Sequence, residues 1–413
     1  MKSRDLSFDP FALEFSSTLL EIPKKYVDEW SKEGWYQGIT DIIHSSLTGD
    51  NLKALKTAVY KEISATLNEF EKGRTYRIDN AFEWLGRELP RASTKAMFGD
   101  KNPMDEEAMH AMWDFDQDVA ILANDLWPSI LAPKAHAARK ILQGKMRPYY
   151  EKGYWKGDDV SAIMRNRAQK MFDEGGGVEL LCKTEWNIVW ASVTNTIPDL
   201  YWLLANIFSR RKCLEKFRNE VAETTVFSDD GRGGRIGAID IAPLEKKPYA
   251  AAVYWETHRV YNENLGHRKV MKDTVLKDTN GREYFLKKGI NVQIAPGAPH
   301  RDTSIWGSDA EQWRPERWID GTMPEKTQKA SLFPFGGGRN LCPGMKFAIA
   351  ESLGLLAILA MGFDLEGIQV AEAGPPLMSN AMRKPLLESV DPGFDLSRRK
   401  GYEDVTWNIK LDS

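Results

Sequence analysis

The run from about Val178 to Phe208 constrains the fold more than any other part of the chain. It is the longest helical stretch, and the part from Trp186 to Phe208 approaches transmembrane length. A helix that is apolar all round is either a membrane span or the centre of a large core. Asn187, Thr194, Asn195, Thr196, Asp199 and Asn206 decide between the two, because polar groups are expensive at the bilayer centre. A buried core helix is expected, and it needs other helices packed around it. Pro198 lies inside it, donates no N–H and clashes with the carbonyl of Thr194, which predicts a kink over 194–198 beside Asn195 and Thr196.

The chain before this run supplies such helices. Asp50-NLKALKTAVYKEISATLNEF carries apolar residues three and four apart behind an Asp able to cap, and IDNAFEWLGRELPRASTKAMFG ends on a glycine stop. WDFDQDVAILANDLWPSILAP and AHAARKILQGKMRPYYEKGY read as a pair around a proline turn, and DDVSAIMRNRAQKMFDEGGG as a further helix. With 42% apolar and 28% charged residues, the 413-residue chain reads as one globular domain, 1–413. The net charge of −3 and the lack of a basic tract argue against nucleic acid. Cys182, Cys213 and Cys342 are too few and too scattered for a disulfide framework, which points to an intracellular protein. The opening MKSRDLSFDPFALEF has no apolar run fit for a signal peptide or anchor, and no transmembrane segment is expected. The six histidines form no HExxH pair, so a zinc site has no support.

Beyond the helix KPYAAAVYWETHRVYN the texture turns to β. Asn280-Gly281 between two alternating runs predicts a hairpin, and a short β-leaning tail closes the chain. SDDGRGGRIG lacks the GxxxxGK[ST] of a phosphate loop and reads as a surface linker. No βαβα alternation is visible, so the expected fold class is mainly α with small β-sheets.

The chemistry concentrates in FPFGGGRNLCPGMKFA, Phe333 to Ala348. Cys342 stands just before a helix N-terminus, where the dipole and free N–H groups favour a thiolate. Gly336, Gly337 and Gly338 let the backbone turn tightly and approach a flat ligand, and Phe335 adds an apolar wall. Such a thiolate can ligate a metal, attack as a nucleophile or act as a redox thiol. No His lies close in sequence to serve a nucleophile.

Phe335, Gly338, Cys342 and Gly344 stand in F-x-x-G-x-x-x-C-x-G spacing, and the run resembles the haem-binding signature of the cytochrome P450 family. Two more signatures follow the family's order. Glu256-Thr-His-Arg259 resembles its ExxR helix motif, and Pro315-Glu-Arg317-Trp318 resembles the meander before the haem loop. The resemblance implies a buried network of Glu256, Arg259 and Arg317. It also implies haem b between the long kinked helix and the loop, with Cys342 as iron ligand and Phe335, Gly338, Arg339 and Gly344 beside the cofactor. The family's usual Arg two places before the cysteine is here Asn340; Arg339, one place earlier, is the expected propionate partner. Trp190-ASVTNTIPDLYW is similar to the branch that contains cholesterol 7α-hydroxylase and prostacyclin synthase. At the family's acid–alcohol pair stand Asn195 and Thr196. Thr196 is expected to handle protons, or else to bond back to the carbonyl of residue 192; Asn195 cannot ionise. Val193 replaces the usual preceding glycine and narrows the expected space.

These features imply a monooxygenase that inserts one oxygen atom from O2 into an apolar molecule of terpenoid, steroid or polyketide type, in fungal secondary metabolism. Electrons would come from NADPH–cytochrome P450 reductase, since no flavin or nicotinamide motif is present. Val189, Ser192, Val193 and Leu200 are the expected pocket residues. Two alternatives stay open. One is a redox-neutral haem-thiolate isomerase or dehydratase, favoured by Asn195 and Val193. The other is an inactive haem protein, because the family's opening elements and its usual endoplasmic-reticulum anchor are not visible here.

Overall fold

The structure, a computed structural model, describes residues 5–32, 35–231, 233–322, 324–377 and 380–411; Met1–Arg4 of the opening segment and Arg232 of the glycine-rich run lie outside them. The main helices are α1 (Asp9–Leu19), α2 (Gly49–Asn68), α3 (Ala81–Phe98), α4 (Glu106–Gln117), α5 (Pro133–Glu151), α6 (Ala162–Asp173), α7 (Gly177–Thr184), α8 (Trp186–Phe208), α9 (Arg211–Glu223), α10 (Pro248–Tyr261) and α11 (Met345–Gly362). Local signals set many of their ends. The Asn80 side chain accepts from the N–H groups of Phe82 and Glu83 to start α3, which stops at Gly99 with φ 75°. Asp105 caps α4 through the N–H of Ala108. In α2 the cap position is Thr48, and Asp50 sits in the first turn, where it favours the helix dipole.

Helix α8 is the centre of the packing, with α3, α9, α10 and α11 against it. Leu200, Trp202, Leu203, Leu204, Ala205 and Ile207 have no exposed surface. The Trp202 ring stacks on Tyr261 of α10 at 3.9 Å between centroids. Among the described residues one helix, α11, is long and apolar enough to cross a membrane, and 78% of it is buried within the fold. One apolar cluster runs from Leu19 of α1 to Trp407 in the last strand.

Two sequence expectations need correction. The run 178–208 is not one helix but α7 and α8, divided at Glu185. There the backbone tightens to an i→i+3 bond, Ile188 N–H to Glu185 C=O. The buried Glu185 carboxylate takes both donors of Arg167 at 2.9 and 3.0 Å. Hydrophobic periodicity does not register a buried ion pair. SDDGRGGRIG is not a linker but the turn of a hairpin, with Thr225–Asp229 antiparallel to Arg235–Asp240. Arg235–Asp240 also pairs in parallel with Val405–Lys410 near the end of the chain, a long-range partner that local reading could not supply.

The expected Asn280-Gly281 hairpin forms between Thr274–Lys277 and Glu283–Leu286, with Gly281 at φ 84°. The other small sheets are Leu6–Ser7 with Gly266–Val270 and Asn291–Ile294, Thr75–Ile78 with Phe394–Arg398 and Phe363–Glu366, and Glu372–Ala373 with Pro385–Leu386.

Two polar devices fix the parts that matter for the site. Pro198 stands inside α8, and the Thr194 carbonyl that it releases accepts from Asn380 Nδ2 at 3.2 Å. Asn380 also donates to buried Asp116 at 3.3 Å, and Asp116 further accepts from Trp190 Nε1 at 2.8 Å and Lys384 Nζ at 2.6 Å. Behind the cysteine loop, fully buried Glu256 takes two bonds from Arg259 at 2.9 Å and one from Arg317 Nε at 2.9 Å. Arg314 N–H at 2.7 Å and Trp318 Nε1 at 2.9 Å complete its shell. Arg259 donates onward to the carbonyls of His300 and Ala310, so α10 holds the meander through its main chain.

Both devices give expected losses. Glu256→Ala leaves buried Arg259 without a carboxylate and Arg317 with Asp309 alone, and is expected to cost about 3–5 kcal/mol in denaturant unfolding. Asn380→Ala strands the buried Thr194 carbonyl and leaves Asp116 Oδ2 with Lys384 alone, for about 1–3 kcal/mol in the same measurement.

Candidate active site

The cysteine loop is built by its glycines and by short backbone bonds. Gly336 and Gly338 have φ 75° and 60°, the left-handed region where a side chain is strained. Gly336 N–H bonds to Phe333 C=O at 3.1 Å, and Cys342 N–H reaches back to Phe335 C=O at 2.9 Å. Phe333 N–H bonds to His300 Nε2 at 3.3 Å, and Asn262 Nδ2 to Pro334 C=O at 3.4 Å. Half-buried Phe335 packs against His258 at 4.9 Å between ring centroids and edge-on to Trp255 at 6.3 Å. The loop is thus tied to α10 and the meander on one side and feeds α11 on the other.

Cys342 stands at that entry to α11, two residues before Gly344, and faces outward. Protein atoms crowd its sulfur despite this, and burial raises the thiol above its ordinary value; the N–H groups of Gly344 and Met345 pull the other way. The helix-end amides expected from sequence are present, but desolvation outweighs them in the protein alone. Ala348 and Ile349, one turn into α11, are also part-open.

Helix α8 is buried on most sides but not all. Ile188, Ala191, Ser192 and Asn195 are open or part-open, and their spacing of three and four puts them on one stripe. The pocket expectation is therefore corrected for three residues: Val189, Val193 and Leu200 are 0%, 4% and 0% exposed and face the core, while Ser192 lies on the open stripe. An almost uniformly apolar helix does not reveal which of its faces is left uncovered. Asn195 is held from both ends, with Nδ2 on the Ala191 carbonyl at 3.0 Å and Oδ1 taking the Ala381 N–H at 2.7 Å. It clamps the 380–384 segment to the helix at the proline.

Thr196 is buried and turned from the stripe toward α11. Its hydroxyl approaches the Glu351 carboxyl closely enough to favour the charged form, as does Ser93, whose hydroxyl donates to Glu351 Oε2 at 2.8 Å. Burial outweighs both and pushes Glu351 up to about 7. The carboxylic acid that sequence reading found missing at position 195 thus enters beside Thr196 from another helix. Glu351 was missed because a lone acid in the apolar run MKFAIAESLGLLAILAMG reads as a helix-surface residue. Its cost of burial was the available signal.

Two cations border the other side of the loop. Arg339 donates to Asp9 of α1 at 2.9 Å and is 60% exposed. Arg268 lies over the Phe8 ring at 5.6 Å and donates to the His267 carbonyl. Burial lowers the Arg268 pKa and the Asp9 carboxylate opposes this, although among the described residues no carboxylate stands within 4.0 Å of the guanidinium. An exposed cysteine at a helix end, an open stripe that is half apolar, and a half-buried arginine with no carboxylate within 4.0 Å among the described residues fit a flat, iron-bearing ligand with carboxylate side arms. Arg268 was missed because a basic residue in a short strand carries no local signal. Glu256, Arg259 and Arg317 come together as one network; Gly338 and Gly344 lie on the loop itself.

The comparisons with known proteins agree with this geometry. Residues 39–388 match the family model for cytochrome P450. A cytochrome P450 monooxygenase of Gibberella zeae is 29% identical over 98% of this chain and 79% of its own length. Cytochrome P450 monooxygenase nodJ of Hypoxylon pulicicidum is 25% identical over 89% of the chain and 72% of its own length. Cholesterol 7-alpha-monooxygenase of Cricetulus griseus is 24% identical over 83% of the chain and 71% of its own length. With its cysteine loop, its Glu256 network and these relatives, the chain belongs to the cytochrome P450 family, a family of oxidoreductases that carry haem b and act as monooxygenases.

Proposed function

We propose that this chain inserts one oxygen atom from O2 into an apolar small molecule of terpenoid, steroid or polyketide type. The proposed setting is fungal secondary metabolism, with electrons from NADPH–cytochrome P450 reductase. The observation that carries the reading is the open stripe of α8, Ile188, Ala191, Ser192 and Asn195, on an otherwise buried helix that also carries Thr196. Its apolar members suit a hydrocarbon framework, and Ser192 offers one hydroxyl to orient a polar group. The relatives from Gibberella zeae and Hypoxylon pulicicidum support the fungal setting, and the cholesterol 7-alpha-monooxygenase supports a steroid-like size.

When bound, the haem supplies the activation of O2 and the transfer of an oxygen atom. The residues of the chain do the rest. Cys342 Sγ would hold the iron, with Gly344 and Met345 N–H directed at the sulfur. Phe335, Gly338 and Gly344 give the loop its shape against the macrocycle. Arg268 and Arg339, the latter paired with Asp9 here, would be the cations for its two carboxylate arms. Glu351 holds a proton at its carboxyl near neutral pH and passes it to the Thr196 hydroxyl, which borders the open stripe of α8. Asn195, committed at both ends, keeps the Thr194–Pro198 turn in place and carries no proton. Glu256, Arg259 and Arg317 keep the loop in register without touching the reaction.

A redox-neutral isomerase would need no reductase and consume no O2. The crowding at Val193 that favoured it is absent from the open face, since Val193 lies in the core. Oxygen uptake that depends on both NADPH and reductase is the expected result; turnover of a lipid hydroperoxide without either would replace this reading. Glu351→Gln keeps the shape and cannot give up a proton. It is expected to lower productive coupling by about 10²-fold, within the range of general acid loss. In the wild type, coupling should fall as pH rises through about 7, because Glu351 is then deprotonated, and in Glu351→Gln this dependence should vanish.

A further inference from the structure

A second buried polar group lies one helical turn beyond Thr196. Asp199 is 2% exposed, and its Oδ1 stands 3.5 Å from Nε2 of His258, which is 3% exposed. Thr196 and Asp199 are three apart on α8, and Glu351 and Ser352 are consecutive on α11. Two polar pairs therefore face each other between the helices, Thr196 near Glu351 and Asp199 near Ser352, with His258 of α10 at the end. Asp199 Oδ1, Ser352 Oγ, both His258 nitrogens and Tyr254 OH are buried and meet no protein partner of good hydrogen-bond geometry. Buried polar atoms so clustered are normally bridged by ordered water.

The charged and titratable surroundings come from every side. Glu351 lies on α11, Tyr254 shares α10, and His300 beside the meander lowers His258 further. The Phe335 ring covers His258 from the cysteine loop. No cation pairs with Asp199 among the described residues except as His258 could become one. Burial drives Asp199 well above the usual carboxylate range, Ser352 opposes this and the neighbouring Glu351 adds to it. Burial likewise drives His258 down to about 3. Both shifts favour the uncharged forms, which leaves the proton with Asp199.

Cleaving O2 with insertion of one atom consumes two electrons from the reductase and two protons, and yields the hydroxylated product and one water. Glu351 can give one proton before it must be refilled. We propose that Asp199 and His258 form a buried proton store that refills Glu351, with Ser352 and bridging water as the link. The step balances: the Asp199 O–H bond breaks as the Glu351 O–H bond forms, and the negative charge moves from Glu351 to Asp199. There the His258 N–H donates to it until Asp199 regains a proton from solvent. Asp199 and His258 act through Glu351 and are positioning residues. This rests on the monooxygenase reading above.

The test uses the full haem-loaded chain with NADPH and a fungal reductase, and no added substrate. Without substrate, O2 leaves as hydrogen peroxide, with two electrons from the reductase and two protons from solvent, when the route through Glu351 fails, and as two waters, with four electrons and four protons, when it delivers. Asp199→Asn is expected to bind haem with an unchanged spectrum. Its peroxide yield per O2 should rise by roughly threefold to tenfold, less than for losing a direct general acid, and more at pH 8 than at pH 6. Its infrared spectrum, recorded on the resting protein without turnover, should lose a deuterium-sensitive carboxylic-acid band that the wild type keeps at pH 8. Unchanged peroxide in Asp199→Asn while Glu351→Gln raises it overturns the store alone. Unchanged peroxide in both overturns the proton route through Glu351 as well. Should Asp199→Asn fail to bind haem, the wild type still decides. An acid band at pH 8 that shifts in His258→Asn supports the store, and its absence overturns it.

Discussion

One carboxylate organises the side of the protein on which the reaction depends. Glu256 is fully buried and accepts from two guanidinium groups, a backbone N–H and an indole N–H. Placing three charges in a core is costly, and only near-complete pairing makes it tolerable. That requirement has a geometric consequence. Arg259 belongs to α10, Arg317 to the meander, and the remaining guanidinium donors go to meander carbonyls and to the Asp309 carboxylate. The segment before the cysteine loop can therefore sit in one place only, although it has little regular structure of its own. Phe335 and Cys342 inherit their positions from it, through the contacts of the loop with His258, Trp255 and His300.

Helix α8 couples that fixed wall to the chemistry. Its polar residues are not scattered tolerances in a core helix. Thr194 gives its carbonyl to Asn380, Asn195 clamps Ala381, Thr196 turns to Glu351, and Asp199 meets His258. Each serves a different neighbour, and together they leave one stripe uncovered. The proline makes this possible, since it frees a carbonyl in mid-helix and brings the 380–384 segment against the site. Under the proposed function, proton handling falls on the buried side and substrate contact on the open side, with Thr196 at the boundary.

The fold was legible wherever a signal was local. The apolar periodicity of α2 and α3, the Asn280-Gly281 turn and the glycine stop at Gly99 all led to the right elements. The polar residues of Trp186–Phe208 gave a core helix in place of a span. The loop spacing around Cys342 and the pairing of Glu256 with Arg259 were readable as well, because both span a few residues. What failed was long-range. The hairpin at residues 225–240 is stabilised by Val405–Lys410, far along the chain. The division at Glu185 answers to Arg167 on another helix. The open face of α8 could not be told from its core faces, so Val189, Val193 and Leu200 were assigned to the wrong side. Glu351 and Arg268 have no motif; each matters only for what the fold brings near it.

The central claim is that Cys342 holds haem iron as a thiolate. The direct measurement is the carbon monoxide difference spectrum of the reduced chain, expressed with haem precursor, beside that of Cys342→Ala. A strongly red-shifted Soret band in the wild type, absent from the variant, is the expected result. A blue-shifted band, or no haem in the wild type, would contradict the account at its root.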